Sequence, residues 1–281
     1  MSTLIKTKRR INSVTGTRKI TNAMELVSSV KLKRFRDAMM RGNDYVNTIK
    51  NTVARLSSFV SKEDIDFDEE SIKSNKRLFI IVNSNLGLCA HYNDDIFNYA
   101  SKLIKEEDEI IPIGLKGYHH YLHLGFRVND EFVSLNEKVN FDDVNRFAHF
   151  IFHLYESKKY KEIRIIFMQY VNSLISRPDN EKLLPREIVN NLPEELLPPV
   201  IEPNPKALLK ELEPIYLASS IYQAILVSQV SEQSYRNNAM RNATDNADEL
   251  LDKLKIEYNK QRQGAITQEI AEVVFGANEL S

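Results

Sequence analysis

Three histidines lie close together in one short segment of the chain, at His119, His120 and His123. Imidazole is a common zinc ligand, and on a helix the spacing of four residues between the first and third histidines puts both rings on one face. No carboxylate or cysteine nearby in the sequence completes a ligand set. We therefore expect surface or half-buried histidines here, and no metal site.

Residues 83–91 form a turn with one glycine, NSNLGLCAH, directly after a short apolar run. A strand, a turn and a helix in this order can hold a phosphate at the helix N-terminus. However, the turn matches neither GxGxxG nor GxxxxGK(S/T). Cys89 has no local base that would make its thiol a nucleophile. The sequence therefore contains no catalytic constellation, and we expect no cofactor.

Charges are segregated along the chain, although the net charge is −1. Residues 1–50 contain twelve Lys or Arg and three acids, about +9, whereas residues 205–281 contain eight and eleven, about −3. A basic segment also suits nucleic acid or anionic lipid, but no aromatic interleaving or base-reading motif accompanies these charges. We expect acidic protein surfaces as partners, and no nucleic acid.

The composition is that of a protein with a packed core. Hydrophobic residues make up 42% and charged residues 27% of 281 residues, a length that allows one large domain or two ordinary ones. One cysteine excludes an intrachain disulfide. No run of about 18 apolar residues is present. We therefore expect no segment that spans a membrane.

The N-terminal segment has the pattern of a long helix. Residues 3–60 contain no proline and two glycines, Gly16 and Gly42. Apolar residues recur there mostly at intervals of three or four, which predicts one face of a helix. The predicted stripe is Ile20, Met24, Val27, Val30 or Lys31, Phe35, Ala38, Tyr45, Ile49, Val53, Leu56 and Val60.

A second long helix is predicted from Asn204 or Pro205 towards the end, with Pro214 bending it or delaying its start. The narrow spacing of its stripe is typical of a coiled-coil seam. The stripe consists of Ala243, Ala247, Leu250, Leu254, Tyr258, Gln261 and Ala265. A broad apolar face follows on the last turns. It consists of Ile266, Ile270, Val273, Val274 and Phe275.

Between these helices the pattern changes to that of an α/β domain. Short apolar runs predict strands at 78–82, 110–114 and 163–170. Helices are predicted at 93–106, 117–124 and 141–157, an edge strand at 126–133, and a hairpin or terminal strand at 174–184. We predict the α/β class: a Rossmann-like parallel-sheet domain inserted between terminal helices that pair as a long antiparallel coiled coil. The predicted domains are 1–60, 76–200 and 205–281.

Three runs of sequence form a recognisable set. They are IKTKRRINSVTGTRKITNAMELVSSVKLKR near the start, SNLGLC in the middle, and ATDNA followed by YNKQRQGAITQEI near the end. Together they resemble the gamma subunit of rotary F-type ATP synthases. The resemblance implies a central rotor shaft without a catalytic site of its own, transmitting torque between the catalytic alpha/beta hexamer and the membrane ion-driven ring.

The resemblance also implies partners and roles for single residues. One copy per complex would contact the alpha and beta subunits, the epsilon subunit and the c-ring, at the cytoplasmic face of the bacterial cell membrane. Met24, Arg262, Gln263 and Gln268 would face the beta-subunit loops that grip the shaft. Ile266, Ile270, Val273, Val274 and Phe275 would form an apolar tip in a bearing. Gly87, Leu88 and Cys89 would form a turn of the lower stalk.

Two departures from the family pattern keep a second interpretation open. Asn22 stands where the family usually has Lys before Ala-Met-Glu, and Asn85-Leu86 stand in place of Asp-Arg. These changes allow a gamma-like shaft of a paralogous F-type ATPase motor with a different mechanical output. An alternative from another class is a coiled-coil scaffold whose α/β domain binds a nucleotide.

Overall fold

The computed structural model describes residues 2–59, 74–136, 139–186 and 201–278. Its elements are α1 (Ser2–Ser57), β1 (Arg77–Val82), α2 (Tyr92–Ala100), β2 (Glu109–Ile113), α3 (Leu115–His123), a 3-10 turn (Val133–Asn136), α4 (Phe141–Glu156), β3 (Glu162–Tyr170), β4 (Ser176–Leu184) and α5 (Pro205–Asn278). The predicted α/β class is confirmed. The predicted domain boundaries, 1–60, 76–200 and 205–281, stay a prediction.

The chain forms two compact units, and α1 and α5 contribute to both. One unit comprises Met1–Ser29 and Arg236–Ser281, which we call the helical unit. The other comprises Val30–Tyr235, which we call the sheet unit.

The sheet has the strand order β2-β1-β3-β4. Strand β1 pairs in parallel with both β2 and β3, whereas β4 runs antiparallel to β3. All three predicted strands are present, and the hairpin or terminal strand predicted at 174–184 is β4. Every β1 residue from Leu78 to Val82 is buried, as expected for a parallel strand covered on both faces.

Helices cover each face of the sheet. Successive β1 side chains point to opposite faces, so Ile80 packs in one core with Phe147 of α4 and Ile221 of α5, whereas Phe79 packs in the other core with Ile96 of α2. Each such fully buried side chain contributes roughly 1.5–3 kcal/mol relative to exposure. The core therefore holds α5 against the sheet.

The prediction of an edge strand at 126–133 is wrong. Within this described segment, Val128 makes an isolated parallel bridge to Ile110. The side chain of Asn129 then accepts a hydrogen bond from the backbone of Glu131 over 2.9 Å. This local turn diverts the chain after one bridge, because an Asn side chain offers the backbone an alternative to a sheet ladder.

Helix α2 ends at Ala100, six residues before the predicted end at 106. The following segment folds around Asp108, whose carboxylate accepts hydrogen bonds from Lys105 N over 2.8 Å and from Arg77 Nη2 over 2.7 Å. Asp108 is 3% exposed. A buried carboxylate needs such partners, so the chain leaves the helix to supply them.

The last helix begins at Pro205 and continues through Pro214. The side chain of Asn204 accepts a hydrogen bond from Ala207 N over 2.8 Å, which caps the helix start. The start predicted at Asn204 or Pro205 is confirmed, and the delay predicted at Pro214 is wrong. Likewise α1 is helical through Gly42, where an added Cβ would lie 4.0 Å from the ring of Tyr222.

The helical unit is an antiparallel pair formed by the first part of α1 and the last part of α5. Thr7 Oγ1 donates to Gln261 Oε1 over 3.0 Å, and the hydroxyls of Thr21 and Thr244 lie 2.8 Å apart. As the α1 number rises, the α5 number falls. The predicted antiparallel pairing is therefore present in this unit.

The seam between these helices has a strict heptad spacing, which on α5 keeps five of the seven predicted residues and adds three others. On α5 it consists of Met240, Thr244, Ala247, Leu251, Leu254, Tyr258, Gln261 and Ala265. Ala243 and Leu250, predicted for the seam, are half-buried beside it. On α1 the buried residues include Thr7, Thr21 and Ser28.

Four residues of the stripe predicted for α1 are exposed, which corrects that prediction. They are Ile20 at 62%, Val27 at 55%, Val30 at 71% and Tyr45 at 49%, and Val60 lies outside the described residues. A seam with a period of 3.5 residues keeps its register even where its residues are small and polar. The prediction selected hydrophobic residues and therefore departed from the heptad positions of the seam.

Candidate functional site

Predicted grip and tip residues lie together on the last turns of α5, in the helical unit. Arg262, Gln263 and Gln268 are exposed, and Gln268 Nε2 donates to Glu272 Oε1 over 2.9 Å. Thr7 is level with Gln261, so the turns after Ile266 extend past the first residues of α1. This end of α5 is available for contact with another protein.

The tip carries exposed apolar side chains. Ile266 is 46%, Ile270 60% and Val273 72% exposed. Their spacing of four and three residues places them on one stripe of the helix. The side chains of Val274 and Phe275, also predicted for the tip, lie outside the described residues. An apolar stripe of this kind gains free energy when a partner covers it.

Met24 does not join this group. It is half-buried on α1, and its neighbour Glu25 accepts hydrogen bonds from Asn237 Nδ2 over 3.0 Å and Arg241 Nε over 3.1 Å. Arg241 and Arg262 are 21 residues apart on α5, a distance of about 30 Å along the axis. The predicted grip residues therefore lie at two separate levels of the helical unit.

The predicted turn Gly87, Leu88 and Cys89 lies in the sheet unit. Leu88 adopts φ 61° and is 61% exposed, whereas Cys89 is 2% exposed and forms no disulfide. Asn93 Nδ2 donates to Cys89 Sγ over 3.5 Å and to Ser84 Oγ over 2.8 Å. The turn thus buries its thiol and presents a leucine, which suits contact with a protein and not thiol chemistry.

A polar contact of α5 with the end of β3 was not predicted from the sequence. The pairing of β1 with β3 reaches Ile166, but β3 continues to Tyr170. Beyond that point Met168 N donates to Ser228 Oγ over 3.2 Å, and Ser231 Oγ donates to Met168 O over 3.1 Å. Two hydroxyls of α5 therefore take the place of β1 at Met168, which pairs with Pro178 of β4 on its other side.

Further hydrogen bonds join α5 to the sheet unit beside this contact. Ser234 Oγ donates to Ser173 O over 2.8 Å, in the hairpin between β3 and β4. Gln229 Nε2 donates to Asn136 O, in the 3-10 turn. Ser228, Ser231 and Ser234 recur every third residue, and we call them the serine row.

The serine row is buried. Ser228 and Ser231 are 0% and Ser234 4% exposed, and Tyr92 OH of α2 lies 2.7 Å from Ser228 Oγ. The three-residue spacing was the available signal in the sequence. Serines at such spacing usually indicate a solvated face, and their burial became visible only with the sheet in place.

A sequence model described as ATP synthase matches residues 3–280. The ATP synthase gamma chain of Mycoplasmopsis synoviae is 35% identical over 285 residues, covering 99% of each chain. That of Clostridium botulinum is 35% identical over 277 residues, covering 98% of this chain and 97% of its own. The chain belongs to the ATP synthase gamma chain family. The predicted resemblance and the central-stalk role that it implied are thereby confirmed.

Solved structures share the fold of this gamma-family chain. A chain of the Euglena gracilis mitochondrial ATP synthase, from a structure of OSCP, F1 and c-ring, aligns with a TM-score of 0.69 at 17% identity, covering 99% of this chain and 95% of its own. A chain of the Tetrahymena thermophila enzyme, from a structure of central stalk and c-ring, aligns with a TM-score of 0.58 at 23% identity, covering 80% and 99%. These alignments establish a shared fold.

The histidine cluster of this gamma-family chain is partly buried. The ring of His120 stacks on Phe97 with centroids 3.7 Å apart, and burial lowers the pKa of His120 against the opposing effect of Asp94. Within the described ranges, no group of three or more His, Cys, Asp or Glu side chains is placed to hold a metal ion. None of the helices described there is long and apolar enough to cross a bilayer.

A buried ion pair lies near the start of α5 in the sheet unit. Arg186 Nε lies 3.5 Å from Glu213 Oε1, and Arg186 Nη1 donates to Ser57 Oγ over 2.5 Å. Burial raises the pKa of Glu213, and Arg186 opposes that rise in part. The pair connects the end of α1, the segment after β4 and α5. Its position indicates a structural contact within the unit.

Proposed function

We propose that this chain is the rotor shaft of an F-type ATP synthase, transmitting torque between the catalytic alpha/beta hexamer and the membrane ion-driven ring. One observation carries the proposal: an antiparallel helix pair whose α5 extends past α1 and ends in exposed apolar side chains. Such an end suits a socket formed by other subunits. The gamma-chain relatives support this assignment over their whole length.

The tip contacts are proposed to be of two kinds. Ile266, Ile270 and Val273 would turn in an apolar bearing, because dispersion and burial do not favour one rotational angle. Arg262 and Gln263 would make polar contacts with beta-subunit loops, and their strength would depend on the angle of the shaft. Those contacts would couple rotation to the state of the catalytic sites.

Met24 would act at a second level, about 30 Å along the helix pair from Arg262. The hexamer would thus grip the shaft at two heights. The sheet unit would contact the epsilon subunit and the c-ring, and its turn at Leu88 offers an exposed leucine for such a contact. The chain would be present once per complex, peripheral to the cytoplasmic face of the bacterial membrane, and would perform no catalysis itself.

Reconstitution tests the proposal. Alpha and beta subunits are assembled with and without this chain, and a probe on the sheet unit reports rotation during ATP hydrolysis. We expect rotation in the full complex and loss of coupled ion pumping when the chain is omitted. Full coupling by a hexamer without it would contradict the proposal. Recovery of epsilon and ring subunits with the purified chain would argue against a paralogous motor with another output.

The nucleotide-binding alternative meets a structural obstacle. In open α/β sheets a ligand binds outside the carboxyl ends of the strands, where the strand order reverses. Here that reversal lies between β1 and β3, because β2 is on one side of β1 and β3 is on the other. Ser228 of α5 bonds both Met168, at the carboxyl end of β3, and Tyr92, at the start of α2. Helix α5 therefore occupies part of this crevice.

A further inference from the structure

The serine row belongs to a section of α5 that the sheet unit encloses. Residues 224–234 are all buried, so this part of α5 has no solvated face. A helix buried on all sides is usually apolar throughout. Here the buried surface includes hydroxyl and amide side chains that bond to other elements of the unit. Such directional bonds have a consequence that apolar packing alone lacks.

The bonds point in different directions around the helix axis. Successive residues of an α-helix are rotated by about 100°, so the four residues from Gln229 through Ser228 and Ser231 to Ser234 span an arc of about 220° around the circumference. Their partners belong to the 3-10 turn, the β3–β4 hairpin and β3 itself. Rotation of α5 in either sense would therefore stretch some of these bonds.

The bonds at Met168 are the most specific. Strand β1 no longer pairs with β3 at this position, so Ser228 and Ser231 provide hydrogen bonds to both main-chain groups of Met168. Met168 is 0% exposed, and water cannot easily replace the hydroxyls. A small rotation of α5 would leave buried polar groups unpaired, which is costly. The bonded angle is therefore strongly preferred.

We infer that the serine row is the torsional joint of the shaft, where torque passes between α5 and the rest of the sheet unit. This inference rests on the rotor function proposed above and names the residues that transmit the torque. Upstream, Leu217 and Ile221 hold α5 by apolar packing, which resists separation but is weakly directional. The serine row adds resistance to rotation about the helix axis.

Single-molecule rotation measures this resistance in the assembled complex. The hexamer is fixed to a surface, and a bead is attached to the sheet unit through Lys102→Cys, an exposed position. Native Cys89 is buried and therefore reacts poorly with the thiol-directed linker of the bead. The test variant combines Ser228→Ala with Ser231→Ala. The matched control is Ser219→Ala, at another buried serine of α5 whose hydroxyl donates to its own helix at Ile215 O.

We expect the angular variance of the paused bead to rise by about twofold in the double variant, because its two directional bonds to Met168 are lost. The control should keep the wild-type variance. Ile151→Val, a change on α4 in the core of the sheet unit, should lower the melting temperature without changing the variance. It therefore separates a torsional role from a loss of stability.

Each outcome bears on a different claim. A wild-type complex that shows no ATP-driven rotation overturns the proposed function, and this inference with it. Normal rotation with unchanged variance in the double variant overturns the inference alone. If the double variant does not assemble, Ser234→Ala is measured, since it removes the single bond to the hairpin. A smaller rise in variance is then expected, and no rise would overturn the inference.

Discussion

Helix α5 is held differently in the two units. In the helical unit it packs along a seam of heptad spacing, with Leu251 and Leu254 buried at 6% and 3% exposure. In the sheet unit the serine row bonds to specific main-chain atoms, such as Met168 N and Ser173 O. The seam repeats every seven residues, whereas each serine of the row bonds a defined main-chain atom outside α5.

The difference separates two mechanical requirements. Apolar packing opposes separation of two helices and depends weakly on small rotations or shifts. Hydrogen bonds weaken steeply when their geometry is lost, and a buried unpaired group is costly. The seam is therefore suited to keeping a long rod intact, and the serine row to fixing an angle. Four substitutions test this contrast.

Leu254→Ala should have the largest effect on stability. Removal of a buried leucine leaves a cavity in the seam, and we expect a loss of about 2–4 kcal/mol from the helical unit. Urea unfolding followed by helical circular dichroism measures it. Ile256→Ala serves as the control, because Ile256 lies on the same helix and is 72% exposed. Equal losses for both would mean that the seam does not hold the pair together.

Ser228→Ala should cost less, about 1–3 kcal/mol, because it leaves Met168 N without its hydroxyl partner in a buried site. Amide hydrogen exchange at Met168 should accelerate in this variant. Ser219→Ala, which removes a buried hydroxyl that bonds its own helix, should leave that exchange rate unchanged. Unaltered exchange at Met168 in Ser228→Ala would show that the contact is dispensable, and the contrast between the regions would fail.

Much of the fold was predictable because local signals agreed with the tertiary structure. The run of β1 is apolar without interruption, which indicates a strand buried on both faces, and the structure confirms it. The start of α5 was predictable because Asn204 and Pro205 are typical of a helix N-terminus. The exposed tip was predicted from the family resemblance, whereas the assignment of individual grip residues stays a prediction.

What escaped prediction depends on partners distant in sequence. The seam of α1 passes through Thr7, Thr21 and Ser28, where its register is not marked by hydrophobicity. The serine row bonds residues about 60 positions earlier in the chain. Nothing local distinguishes such a serine from one that faces solvent. These contacts follow from the assembled sheet, in which Met168 pairs with Pro178 of β4 but has no β1 neighbour on its other side.

Thr244→Val tests the polar positions of the seam. The single change removes a hydroxyl that lies 2.8 Å from that of Thr21, and we expect a loss of about 1 kcal/mol. Thr21→Val combined with Thr244→Val should be nearly neutral, because both partners become apolar with the same shape. A double-mutant cycle measured by urea unfolding gives the coupling free energy between the two hydroxyls. If the double variant loses as much unfolding free energy as Ser228→Ala, the seam is as directional as the serine row.

Arg262→Ala should have the smallest effect on the fold. Its side chain is exposed near the end of α5, where substitutions usually change stability by less than about 0.5 kcal/mol. In the assembled complex the same change should lower ATPase rate or torque, because the proposed grip depends on a polar contact with a beta subunit. Gln261→Ala is an informative comparison, since Gln261 accepts a hydrogen bond from Thr7 within the pair. It should affect stability more and torque less. Wild-type torque in Arg262→Ala would remove Arg262 from the grip and leave the bearing to the apolar stripe alone.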